Sequence, residues 1–189
     1  MIGVMKNHGF TLVELMISVG IIGILMAASV FSYGNIRNRA NASKVAADLQ
    51  QIKLGWKVWK STTDAVYPRE NLFPTQNPDY TCFPEPAISQ TNVQLYLEDI
   101  YRDPWGRQYT YDNEGDTAIP GGGAGLGVNI VIRWCAGEGQ RYLDIAPRIN
   151  AIIDGDGDVA GRLNGLFKWT DNPNVIGGLV FNISSNENQ

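Results

Sequence analysis

The sequence predicts an α+β fold, with an N-terminal helix of roughly 50 residues packed on a C-terminal antiparallel sheet of about three to five strands. Three observations predict it. A continuous apolar run of about 22 residues extends from Phe10 to Phe31. Behind it Val45, Leu49, Ile52, Trp56 and Trp59 recur at intervals of four, three, four and three, which draws one stripe along a helix. In the second half, short alternating or apolar stretches bounded by glycine-containing turns read as strands: the segments starting at Gln108, Val128 and Leu179.

The apolar run comes first. At about 1.5 Å per residue it makes a helix of roughly 33 Å, enough to cross a bilayer core of about 30 Å. Its one charge is Glu14, and a carboxylate inside a membrane helix needs a partner or a function. Lys44, Asp48, Gln50, Gln51, Lys53 and Lys57 surround the later aromatic stripe as a solvated face. One helix from about Thr11 to about Lys60 is therefore expected, its first half membranous and its second half packed on a head. Gly20, Gly23 and Gly34 are soft points in it, and glycines in an apolar helix let another helix come close. The chain divides into a leader over residues 1–9, a membrane or filament-core helix over 10–33, and a soluble head over 34–189 that includes the second half of the helix.

An ordinary signal peptide carries its small-residue cut site after the apolar run. Here the run is followed by the polar, basic stretch that starts at Ser32, and the small-residue junction Gly9–Phe10 stands before it, behind a leader holding Lys6 and His8. The residues Gly9, Phe10, Thr11, Leu12, Val13 and Glu14 resemble the type III signal of the type IV pilin and type II secretion pseudopilin superfamily. That resemblance implies cleavage between Gly9 and Phe10 by a prepilin peptidase and N-methylation of Phe10. It also implies pairing of Glu14 with the N-terminal amine of a neighbouring subunit during filament assembly. A second reading of Glu14 is stabilisation by the helix dipole and interfacial water. Most relatives carry a proline near the position of Phe31; this chain has none, so no kink is carried over.

Composition narrows the function. The chain has 15 Lys and Arg against 19 Asp and Glu, with a formal net charge of −4 that loses Lys6 with the leader. It shows no clustered cationic footprint for nucleic acid. The single histidine, His8, leaves with the leader, and neither a nucleophile elbow nor a zinc-binding pair is present, so no enzyme is expected. Lys6 and His8 favour a cytoplasmic N-terminus. Cys82 and Cys135, an even pair in an exported domain, read first as a disulfide; two buried thiols are the other reading.

Along the head, Tyr67 to Pro86 is a proline-rich connection without periodicity. Gln94 to Glu98 reads as a short helix or turn. Asp103-Pro104-Trp105-Gly106 is a β-turn signal leading into a Tyr-rich stretch that alternates as an exposed strand does. This pair resembles the start of the sheet in major pseudopilins and in some pilins, with Trp105 as a core anchor. Pro120 to Gly127 reads as a flexible loop, lacking the ending of a phosphate-binding loop. Val128 to Cys135 is the clearest strand, with Ile130, Ile132 and Trp134 on one face. Asp154, Asp156 and Asp158, interleaved with glycines, could present oxygens to a calcium ion, though the closing Glu of an EF-hand is missing. Some pseudopilins bind calcium in a late loop; a solvated acidic turn is the other reading. A final strand is expected over Leu179 to Ile183, then a frayed tail.

The function expected is structural: a subunit of a type IV pilus or pilus-like filament. Its partners would be copies of itself, other pilins or pseudopilins, the membrane, the peptidase and an inner-membrane assembly platform. The precursor would sit in the inner membrane with its head outside the cytoplasm, and the filament would be extracellular in a pilus or periplasmic in a pseudopilus. A pseudopilin of type II secretion is one alternative. A membrane-anchored binding or adhesion domain that never polymerises is another.

Overall fold

A computed structural model describes residues 10–63, 67–68, 88, 91–97, 102–113, 127–155 and 167–184. The expected connection over 69–86, Cys82, Gly9, Asp156, Asp158 and most of the glycine-rich stretch lie outside the described residues. Helix α1 (Leu12–Thr63) is 52 residues long and is followed by a 3-10 turn, Asn92–Tyr96. Then come β1 (Thr110–Asp112), β2 (Val128–Trp134), α2 (Gln140–Leu143), α3 (Ala146–Ile153), β3 (Phe167–Trp169) and β4 (Gly177–Ser184). The chain forms two compact units, residues 1–37 and 38–189.

In the first unit α1 is long and apolar enough to cross a membrane, and every described side chain from Phe10 to Ser29 is exposed. Ile24 is 72% exposed and Met26 65%, an arrangement that water does not tolerate over such a length.

In the second unit the aromatic stripe of α1 is buried as its spacing predicts. Ala42, Val45, Ala46, Leu49, Ile52, Trp56 and Trp59 all face the core. Trp56 stacks on Tyr111 of β1 with ring centroids 4.6 Å apart. Gly55 allows the 3-10 turn to close on the helix: a Cβ there would stand 2.9 Å from the Leu97 side chain.

The sheet is antiparallel throughout, in the order β1-β2-β4-β3. Ile130 lies opposite Phe181 and Ile132 opposite Leu179, so the apolar face of the sheet meets α1. The other face holds Thr110, Asp112, Asn129, Val131, Arg133 and Val180, and it is buried too. The expectation of an exposed strand from Gln108 is thereby corrected: alternation in the Tyr-rich stretch separates an aromatic buried face from a polar buried face. Tyr111 packs on Trp56, while the Thr110 hydroxyl donates to the Val131 carbonyl at 2.9 Å.

Helices α2 and α3 follow β2, and with β3 they are elements beyond those named from the sequence. Tyr142 of α2 stacks on Trp134 at 5.4 Å and meets Trp105 edge-on at 4.8 Å, which makes Trp105 part of the core margin as expected. Helix α3 ends at Asp154, whose N–H donates to the Asn150 carbonyl, and Gly155 follows at φ +80°, the left-handed conformation that closes helices.

Candidate assembly site at the start of the long helix

Thr11 immediately precedes α1 and Glu14 is its third residue, the spacing of a capping box. The geometry completes it. The Glu14 N–H donates to Thr11 Oγ1 at 3.2 Å, and Glu14 Oε2 accepts the Thr11 N–H at 2.9 Å. The Thr11 hydroxyl donates to the same Oε2 at 2.7 Å. Two of the four N–H groups that a helix start leaves orphaned are satisfied in this way. Satisfying them within the segment matters most where no water can do it.

The carboxylate is only half used. Oε2 takes both bonds, and Oε1 accepts none among the described residues. A carboxylate at a helix N-terminus is favoured by the positive end of the helix dipole, so both readings of Glu14 from sequence are compatible with this geometry. The fixed carboxylate presents one open oxygen to a cation. Phe10 precedes the cap and is 78% exposed.

The sequence contains the capping signal, a Thr three residues before a Glu at the head of an apolar run. Neither reading of Glu14 from sequence, the pairing with an amine or the stabilisation by the helix dipole, includes this cap.

The other predicted site residues are in the head. Cys135 follows β2; its N–H donates to Glu138 Oε2 at 3.1 Å. Glu138 also pairs with Arg107, whose second Nη donates to the Arg133 carbonyl at 3.1 Å. Burial pushes the Glu138 carboxyl up, but the bonds from Arg107 and from the Cys135 N–H outweigh it and hold the group below the usual carboxylate range. No free thiol stands among the described residues.

Asp154 caps α3, and its Oδ2 accepts the Phe167 N–H at 3.0 Å, tying the end of α3 to the start of β3. No group of three metal-ligating side chains occurs among the described residues. Asp154 so closes the turn after α3, while Asp156 and Asp158 lie outside the described residues.

Two buried carboxylate–tyrosine pairs escape sequence reading. Asp48 Oδ2 accepts the Tyr109 hydroxyl at 2.7 Å and the Lys44 ammonium at 2.5 Å, fastening α1 to the residue before β1. Asp103 Oδ1 accepts the N–H groups of Trp105 at 2.9 Å and Arg107 at 2.8 Å, while Oδ2 accepts the Tyr142 hydroxyl at 2.8 Å. Asp103 is legible as the first residue of a turn, but its tyrosine partner, 39 residues on, carries no sequence signal.

Comparison with known proteins agrees with the geometry. Residues 4–30 match the family described as the prokaryotic N-terminal methylation motif. The chain is 27% identical over 116 residues to the type II secretion system core protein G of Escherichia coli (strain K12), covering 59% of this chain and 75% of that protein. It is 29% identical over 111 residues to the protein of the same name from Vibrio cholerae, covering 59% of this chain and 74% of that protein. A probable minor fimbrial protein of Dichelobacter nodosus is 41% identical over 49 residues, 26% of this chain and 31% of that protein. No solved structure matches the chain. The methylation motif, the long apolar helix joined to an antiparallel sheet, and these relatives together support the type IV pilin and type II secretion pseudopilin superfamily for this chain.

Proposed function

We propose that this chain is a structural filament subunit, released from its leader by cleavage between Gly9 and Phe10 and polymerised through α1. The observation that carries the proposal is the start of that helix. A capped carboxylate with one open oxygen stands at the head of an apolar stretch whose side chains from Phe10 to Ser29 are all exposed, close to where cleavage would leave an α-amine on Phe10. An amine from the next copy satisfies that oxygen, and the exposed apolar faces bury one another. A heterologous contact of this kind does not close on itself and yields an open helical fibre. The superfamily is structural, and no catalytic role is proposed for any residue.

Within that class, one observation favours a type II secretion pseudopilus. The similarity to core protein G extends over 116 residues, far more than the motif at residues 4–30 contains, so it includes the head. The fimbrial match spans 49 residues. The precursor is then held in the inner membrane with its head outside the cytoplasm, where a prepilin peptidase and an assembly platform act on it. A bridge between Cys82 and Cys135 belongs to the same proposal; it would close a loop of about 54 residues and stabilise the head by about 4 kcal/mol. It is supported by the absence of a free thiol among the described residues.

Intact mass with N-terminal sequencing of sheared cell-surface material and of membranes tests the reading. A chain beginning at methylated Phe10 is expected, confined to membranes for a pseudopilin and present in sheared fibres for a pilin. A mature chain beginning at Met1 refutes the proposal and returns the protein to an anchored binding domain. Gly9→Ala is expected to block processing.

A further inference from the structure

Charge is divided unevenly along this chain. From Asn38 to Thr63, α1 carries Arg39, Lys44, Lys53, Lys57 and Lys60 but a single acid, Asp48. Asp48 is buried and already holds Lys44 and Tyr109. Residues 64–189 hold 17 Asp and Glu against 8 Lys and Arg. Asp144 and Asp171 are exposed examples.

The unmatched cations of α1 share one side of it. Arg39 and Lys57 are 18 residues apart, five turns of about 3.6 residues, so they lie on one face about 27 Å apart along the axis. Lys53 precedes Lys57 by one turn and Lys60 follows it by three residues. Arg39 and Lys57 are exposed and make no ion pair among the described residues. Lys53 and Lys60 lean their ammonium groups over the rings of Phe181 and Tyr67, at 5.1 and 5.0 Å. Like charges one helical turn apart are locally unfavourable. Burial first, and then the neighbouring Lys57, hold the Lys53 ammonium below its ordinary value, with Asp154 opposing them.

We infer that this cationic face of α1, centred on Arg39 and Lys57, is a contact for the acid-rich head of a second copy of the chain. The inference rests on the filament reading. A subunit of net charge −4 is repelled at long range by polyanions such as nucleic acid or anionic lipid. Two copies displaced along a common axis instead set the basic helix of one beside the acidic residues of the other. The contact acts with the pairing of Glu14 and the neighbouring amine to set the stagger between subunits, because opposite charges fix register more than they add affinity.

The test uses fibres grown from equal amounts of nitrogen-15-labelled and unlabelled full chain, treated with a zero-length carbodiimide that joins amines to carboxylates in contact. Mixed-isotope cross-links from Lys57 or Lys53 to acids beyond Thr63 are expected. In parallel, Arg39→Glu with Lys57→Glu is expected to weaken assembly at least about threefold at low salt, a difference that shrinks as salt rises. Arg39→Gln with Lys57→Gln should fall between the two. Cross-links confined to single-isotope pairs, or reversal variants that assemble as the native chain does at every salt concentration, overturn the charge contact while leaving the filament standing. If the native chain with its leader removed forms no fibre, both readings fall.

Discussion

The junction between α1 and the sheet offers the sharpest test of how this head is held. The Tyr109 hydroxyl donates to Asp48 at 2.7 Å, and both residues are buried. Burial, then the nearby Asp48 carboxylate, push the Tyr109 phenol far above its ordinary value, so it remains a donor across the working pH range. Tyr109→Phe removes one oxygen and leaves no cavity larger than a hydroxyl. It leaves Asp48 with Lys44 alone, a half-exposed partner whose ammonium also donates to the Arg102 carbonyl at 3.1 Å. A hydrogen bond to a charged group contributes about 1.5–3 kcal/mol, and a buried acceptor left short loses about that much. At about 2–4 °C per kcal/mol for a chain of this size, the melting temperature should fall by about 3–12 °C. The assay is near-ultraviolet circular dichroism of the full chain in detergent, with Asp48→Asn and the double variant completing a cycle. Asn can still accept the tyrosine proton but carries no charge to pair with Lys44, so the coupling energy reports what the charge adds to the Tyr109 bond. A change for Tyr109→Phe smaller than about 1 °C would refute the claim that this bond fastens the helix to the sheet.

Three further outcomes are expected. Burial raises the Asp103 carboxyl above its ordinary value, against the bonds from the Arg107 N–H, Tyr142 and the Trp105 N–H, so the folded chain holds this proton more tightly than the unfolded one. Its contribution is full below about pH 4 and is lost as pH rises through the folded value; Asp103→Asn, which cannot ionise, should therefore gain melting temperature relative to the native chain between about pH 4 and pH 7. A flat or falling difference curve would contradict that sign. Gly139→Ala places a Cβ 2.5 Å from Trp134 Nε1 and 2.7 Å from the Pro173 Cα, and should cost about 1–3 kcal/mol, measured by denaturant titration. Calcium binding by Asp154, Asp156 and Asp158 remains a proposal resting on their spacing; Asp156→Ala should lower head stability in calcium but not in chelator, and equal shifts in both would leave only a turn.

The sequence alone determined the parts of this protein that depend on local periodicity. The apolar run, the aromatic stripe from Val45 to Trp59 and the strand from Val128 each repeat with the period of their own element, and each is found where the period places it. The methylation motif matched over residues 4–30 is contiguous, so it is legible without a fold. The capping role of Thr11 was legible by the same logic, since both partners lie within one helical turn.

Only the tertiary structure decided the rest. Asp48 finds Tyr109 across 61 residues, Asp103 finds Tyr142 across 39, and Arg107 reaches Glu138 across 31. No periodicity encodes these meetings, because sheet order and helix placement bring the partners together. The strand order β1-β2-β4-β3 is equally silent in the sequence, as is the burial of both sheet faces. A strand's alternation tells which side chains share a face, and it cannot tell whether water or protein lies against that face.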